Sequence, residues 1–583
     1  MRFIRDIILK YTYLLVIVLA LILRTYNLNL NPVGITHDEI HDLINAKSLA
    51  STGQNTPGTV AGIFTKNGMC DGNCIFGELA SFILIPWMKI VPLDIIWSKI
   101  PFLLAALGIV YFGGKLFENL SGKRSVGGIA GLLLAINPWA IHFGRTALEN
   151  LLAFGFYLAG LYFFTKEKMS GKDYWLGLVV MILGSLSYMG AKPLFPFLIV
   201  LVLVYRFLFD KKKQLKQSLI ILGVAIIFFG SYWKMLSVSM AGKRLIEVGG
   251  SGQLIKSTVD EERRISLEIP ILRDVVINKI WIRGRVYLDK YFKAYAPENI
   301  FFQSDLAYDA FNIPGVGYLY LMDFIFVILG LVYYARTNLK KTYWLLVLLA
   351  IMPIASVISD YGTTFALRSG LLYPLLVGLS AIGIEGLYGQ LGLKFKKIFL
   401  IGVVVIYGLF FGYFEIMYMY RTPMAKSGAW FQHERLLIKY LDLLTQKTDN
   451  NVVVVLRDRV DVMYLYGFYT KKYNDKVFIE KFNKNLSEKR YEIDNIKFVE
   501  ECPKNQDKNV VYLFQKEMDC VDEPNNLTRI SELRDAGAKF FIPKDVVCGE
   551  LELNKYLYPR ELKSFDIEKM NQEEFCKLWI TKP

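Results

Sequence analysis

No internal repeat, no low-complexity linker and no glycine-rich phosphate loop stands out in this 583-residue sequence, so nothing in it points to a bound nucleotide. No cleavable signal peptide is evident either. The first apolar run has no small-residue cleavage site and is long enough to remain as an anchor. Acid is in short supply: 53 Asp and Glu meet 68 Lys and Arg, a net charge of +15. Such a surplus could suggest nucleic-acid binding, but its distribution argues against that. From Thr422 onward 27 basic residues balance 27 acidic ones, so the 41 basic and 26 acidic residues before it carry the whole excess.

What is abundant is apolar. Hydrophobic residues make up 54% of the chain, in repeated runs near the roughly 20 residues that cross a bilayer. Candidate spans are about 8–28, 98–117, 126–143, 150–165, 174–191, 193–209, 218–236, 317–335, 342–359, 370–389 and 397–420, which predicts an α-helical polytopic membrane protein of about 11 to 13 transmembrane helices. The run from Glu78 to Val91 is apolar but short and broken by Pro86, and reads as an interfacial or re-entrant helix. Near Arg421-Thr422-Pro423 the composition shifts, dividing a membrane domain, 1–421, from a tail domain, 422–583.

The surplus bases fall in alternate loops: Arg2 and Arg5; Lys115, Lys123 and Arg124; Lys166, Lys168 and Lys172; Lys211, Lys212, Lys213 and Lys216; Arg336, Lys340 and Lys341; Lys394, Lys396 and Lys397. This is the positive-inside pattern, and it predicts a cytoplasmic N-terminus in a cell membrane. The segments left outside are a first loop, 29–97, the turns around Arg145, Lys192 and Arg368, a long loop, 237–316, and the tail. All six cysteines, Cys70, Cys74, Cys502, Cys520, Cys548 and Cys576, lie in these outer parts, an even number in an oxidising compartment that suggests disulfides. Cys70–Cys74 is the natural local pair, the four tail cysteines leave three pairings open, and a CxxxC zinc half-site is the weaker reading.

Several polar groups then gather at the outer ends of spans. "GITHDEIHDL" follows the first span, and Thr36-His37-Asp38-Glu39 has the form of a capping box opening an amphipathic helix with Ile40, Leu43 and Ile44 on one face. In "FGRTALEN", Arg145 and Glu149 are spaced to share one helix face, as a plain ion pair or as functional groups at the membrane edge. Lys192 is the lone charge of "SYMGAKPLFPFL", and Arg368 enters a span in "ALRSGLLYP". Carboxylates (Asp38, Glu39, Glu149) suit a general base for a hydroxyl. Cations (Arg145, Lys192, Arg368) suit a phosphate, and an anionic lipid phosphate is the ligand expected at that depth. His37 and His41 could be metal ligands, but read more simply as solvated interfacial histidines. A divalent cation held by Glu39 and Glu149 fits but is not required.

In the tail, "HERLLIKYLDLLTQ" has helical periodicity, "NVVVVL", "KVFIEKF", "NVVYLFQ" and "KFFIP" read as strands, and "RISELRDAG" as a short helix ending at Gly537. A small α/β domain is expected, for acceptor binding, partner docking or passive capping.

Asp38-Glu39, "FGRTALEN", "GAKPLFP" and "ALRSGLLYP", in this order, resemble the GT-C membrane glycosyltransferases, with protein O-mannosyltransferases and bacterial aminoarabinose transferases the nearest kinds, over roughly residues 1–420. The resemblance implies transfer of one sugar from a polyprenyl-phosphate carrier to a protein, lipid or glycan acceptor on the outer face. It implies Asp38 as catalytic base, Glu149 lining the same site, and Lys192 on the carrier phosphate. Arg145 and Arg368 go to phosphate or acid partners. Glu149 stands where many members have Asp, which leaves its reach open. The WWD motif of oligosaccharyltransferases is absent, which argues against en bloc glycan transfer. A glycan ligase or polymerase, and a transporter or flippase of lipid-linked sugar, are the competing expectations.

Overall fold

The computed structural model describes residues 2–56, 79–209, 215–238, 252–266, 270–304, 309–359, 365–521, 527–530, 539–551, 553 and 561–582. Every sequence-predicted span overlaps a helix, but 126–143 and 342–359 each cover two helices with a break between them. The first ten helices are α1 (Arg2–Thr25), α2 (His37–Thr52), α3 (Ala80–Ile90), α4 (Ile95–Ser121), α5 (Arg124–Ile136), α6 (Pro138–Phe143), α7 (Asn150–Thr165), α8 (Gly171–Ser187), α9 (Leu194–Phe209) and α10 (Leu215–Val238). After the long loop, whose described part includes α11 (Lys279–Lys293), come α12 (Leu321–Thr337), α13 (Leu339–Ile351), α14 (Leu372–Gln390) and α15 (Leu393–Ile416). Five helices among the described residues are long and apolar enough to cross a membrane, so the chain is multi-pass; further apolar helices are shorter.

The centre of the bundle is α14, buried along most of its length against α12, α5 and α4. α12 and α14 touch backbone to backbone: a Cβ on Gly330 would stand 2.1 Å from the Leu379 carbonyl oxygen, and one on Gly383 2.1 Å from that of Phe326. Only glycine permits that approach, the usual device where helices pack without a hydrophobic drive between them. α15 is the opposite case, with Ile401, Val404 and Leu409 exposed along an apolar flank.

The two ends of the bundle differ. At one, basic residues cap helix ends: Lys341 donates to the Leu120 carbonyl at 2.8 Å, Arg206 to that of Lys166 at 2.8 Å, and Lys123 approaches Glu385 at 3.5 Å. At the other, α2 and the connection between α3 and α4 meet the tail, where Asn483 donates to Ser48 at 2.9 Å and the Leu93 amide to Asn474 at 2.6 Å. α3 is the short helix expected around Pro86.

The tail holds a seven-stranded sheet in the order β2-β3-β1-β4-β6-β5-β7. Its strands are β1 (Val452–Val455), β2 (Glu492–Ile493), β3 (Ile496–Val499), β4 (Val511–Gln515), β5 (Thr528–Ile530), β6 (Phe540–Ile542) and β7 (Ile580–Thr581). β1 lies parallel to β3 and β4, and the remaining pairs are antiparallel. Helices α16 (Gln432–Lys447), α17 (Arg459–Tyr469) and α18 (Lys476–Ser487) flank it. Two expectations are corrected. "KVFIEKF" lies in α18, which buries Ile479, Phe482 and Leu486 at helical spacing. Arg529 and Ile530, the start of the expected helix "RISELRDAG", belong to β5, while its remainder to Gly537 lies outside the described residues. Disulfides join Cys502 to Cys520 and Cys548 to Cys576, one of the three open pairings. Cys70 and Cys74 lie outside the described residues.

Candidate active site at the tail-facing end of the bundle

The first turn of α2 folds as its local sequence dictates. The Glu39 carboxylate accepts from the Thr36 amide at 2.7 Å and from the Thr36 hydroxyl at 2.9 Å, closing the expected capping box. Its other oxygen accepts from the Ala147 amide, so Glu39 also pins α2 to the turn that precedes α7. Glu39 is fully buried, and that burial pushes its carboxyl above the ordinary range against the pull of Lys99 and these bonds. With both oxygens engaged, Glu39 fastens the first turn of α2 to the turn before α7. Asp38, its neighbour, is half-buried at the same helix start.

Arg145 also departs from expectation. α7 begins only at Asn150, so Arg145 and Glu149 sit in the turn before it and not on one helix face. The Arg145 guanidinium is wholly buried and donates to the carbonyls of Leu23 at 3.0 Å, Asn27 at 3.0 Å and Asn31 at 2.8 Å and 3.0 Å. The fork therefore ties the end of α1 and the start of the first loop to the α6–α7 turn, which accounts for a buried charge without a phosphate.

The other predicted residues are brought together by the turn between α8 and α9. Tyr188 ends α8, and its phenol lies in the electrostatic field of Arg368, Glu149 and Asp38, contributed by three other segments. Four residues on, buried Lys192 lies over the Tyr232 ring of α10, 5.5 Å from its centroid. Arg368 closes the one-turn helix Phe365–Arg368 just before α14 and is partly exposed. Asp38, Glu149 and Arg368 thus all act electrostatically on Tyr188, and Lys192 lies four residues on from it in the chain.

Two further groups escaped sequence reasoning. Asp461, in the first turn of α17, accepts from His37 Nδ1 at 2.6 Å and His41 Nε2 at 2.8 Å, so these histidines are not simply solvated. Burial alone would raise the Asp461 carboxyl, but the two imidazoles outweigh it and hold it below the ordinary range. Burial would lower His37, which Asp461 instead raises; His41, more deeply placed, is lowered by burial. The three side chains form a group able to hold a metal ion. Asp42, one turn beyond Asp38, accepts from Ser81 at 3.0 Å and is pushed up to about 7, by burial first and by Asp38, with the Ser81 bond opposing. Only the i,i+4 spacing of His37 and His41 was visible in the sequence.

No protein-family model matches the sequence, and no curated protein matches it. Among solved structures, the chain aligns with the aminoarabinose transferase ArnT from Cupriavidus metallidurans in the apo state at a TM-score of 0.47 and 10% identity, over 93% of this chain and 98% of that one. The same protein bound to undecaprenyl phosphate aligns at 0.44 and 10% identity, over 94% and 99%. The archaeal oligosaccharyltransferase AglB from Archaeoglobus fulgidus, in complex with an inhibitory peptide and a dolichol-phosphate, aligns at 0.43 and 10% identity, over 93% and 74%.

Proposed function

We propose that the chain is an inverting glycosyltransferase that moves a single sugar from a polyprenyl-phosphate donor to a hydroxyl acceptor at the outer face of a cell membrane. The observation that carries this reading is the gathering of Asp38, Glu149 and Arg368 around Tyr188, with Lys192 on the same turn, from four segments of the chain. The basic helix ends lie at the opposite end of the bundle, so the positive-inside rule puts the gathered groups outside and the N-terminus in the cytoplasm. Residues 1–421 then form the catalytic membrane domain, and 422–583 an extracytoplasmic domain seated over the first loop.

The chemistry follows from the residue types. Lipid phosphate is a good leaving group, so the work lies in activating the acceptor and in taking up charge. Asp38 removes the acceptor hydroxyl proton as that oxygen attacks the anomeric carbon. The bond from that carbon to the phosphate oxygen breaks on the opposite face, which inverts the centre. Polyprenyl phosphate leaves with the electron pair, its charge stabilised by Lys192 and Arg368. Glu149 orients the acceptor, and Arg145 and Glu39 hold the first loop in place without touching substrate.

The test is product analysis after incubating membranes with labelled polyprenyl-phosphate monosaccharides. Asp38→Asn should lower transfer at least about 100-fold, within the range for a lost general base, while the protein stays inserted and folded. Undiminished transfer by that variant overturns the assignment of the base. Transfer only from a longer lipid-linked glycan would replace the monosaccharide reading with a glycan ligase, and translocation without consumption would replace it with a transporter.

A further inference from the structure

The tail meets the helix bearing Asp38 through a contact that sugar transfer does not use. His37 and His41 stand one turn apart on α2, so both rings project from one face, with centroids 4.4 Å apart. Asp461 reaches them from the first turn of α17, across a sequence separation of 424 residues from His37 and 420 from His41. One ligand atom from each of the three lies within 4.8 Å of the others. The Tyr464 ring packs edge-on against His41 at 4.9 Å and fixes its plane.

We propose that His37, His41 and Asp461 form a site for a divalent cation of the zinc class, which latches the tail onto α2. Two imidazole nitrogens and one carboxylate oxygen are the donor set of such an ion; magnesium and calcium prefer oxygen alone. The space fits after a small adjustment. Bonds of about 2.0–2.2 Å to a tetrahedral ion put its ligand atoms roughly 3.3 Å apart. His37 Nδ1 meets one Asp461 oxygen at 2.6 Å and His41 Nε2 the other at 2.8 Å, so the carboxylate turns and withdraws slightly to share an ion with both nitrogens. His37 has 37% of its side chain exposed, which gives the ion an entry path and leaves its fourth position to water. On binding, the ion displaces the protons that now join the carboxylate to the rings. Ion binding thus becomes docking energy between two parts of the chain far apart in sequence.

The inference stands apart from the sugar-transfer reading because its measurement is metal content. The full-length protein, purified in detergent with a histidine-free tag and stripped with EDTA, is titrated with zinc chloride and, separately, with magnesium chloride. Wild type should take up one zinc per chain at micromolar concentration or below, take up no magnesium, and melt at a higher temperature with zinc. His37→Ala, at a half-exposed position, and Asp461→Asn, of unchanged shape, should each weaken zinc binding at least about 100-fold and abolish the thermal shift. Zinc affinity equal in wild type and both variants, or no stoichiometric uptake by wild type, overturns the site. A wild-type preference for magnesium overturns the ion class.

Discussion

Two turns at the tail-facing end of the bundle look alike in sequence and behave differently in the fold. The turn before α7 carries Arg145, and the turn between α8 and α9 carries Lys192; each holds a buried cation. Arg145 spends its planar fork on three main-chain carbonyls. Lys192 rests on the aromatic face of Tyr232, four residues on from Tyr188, on which two carboxylates act. What a buried cation does depends on where its donors point, and the residue type alone does not give that.

Breaking the first turn should have the larger effect. Arg145→Ala leaves the carbonyls of Leu23, Asn27 and Asn31 without their buried donor, and stability should fall by about 3 kcal/mol or more. Arg145→Lys should rescue little, since a point charge cannot span carbonyls that a fork reaches together. Thermal melting in detergent reads both. An Arg145→Lys protein that melts like wild type yet loses affinity for polyprenyl phosphate would erase the contrast between the turns. Glu39→Gln tests the same turn from the other side. It keeps the side-chain shape but weakens acceptance from Thr36 and Ala147, at about 1–2 kcal/mol, with transfer falling only in step with the folded fraction.

The same contrast explains what could be read from the sequence. The capping box of α2 was legible because Thr36 and Glu39 are three residues apart and satisfy each other. The helices were legible because a bilayer sets their length and apolarity. The role of Arg145 was hidden because its acceptors are backbone carbonyls, which carry no side-chain signature. Asp461 was hidden because the histidines it meets are more than 400 residues away along the chain. α18 was misread as a strand because the window "KVFIEKF" stops short of Leu486, the residue that completes a helical face with Ile479 and Phe482, while Val477 is exposed.

The smallest expected effect is the sharpest on mechanism. Lys192→Met keeps the apolar stem that packs beside Tyr232 and removes only the charge. Its melting temperature should stay close to that of wild type, because Met fills the same space beside the Tyr232 ring. The apparent affinity for a polyprenyl-phosphate sugar should drop roughly tenfold, about 1.4 kcal/mol. Affinity for the uncharged polyprenol should not change, since the lost interaction is with phosphate alone. If the charged and uncharged lipids weaken together, Lys192 acts by shaping the chamber wall. If neither weakens, the phosphate lies elsewhere and Arg368 becomes the cation to remove next.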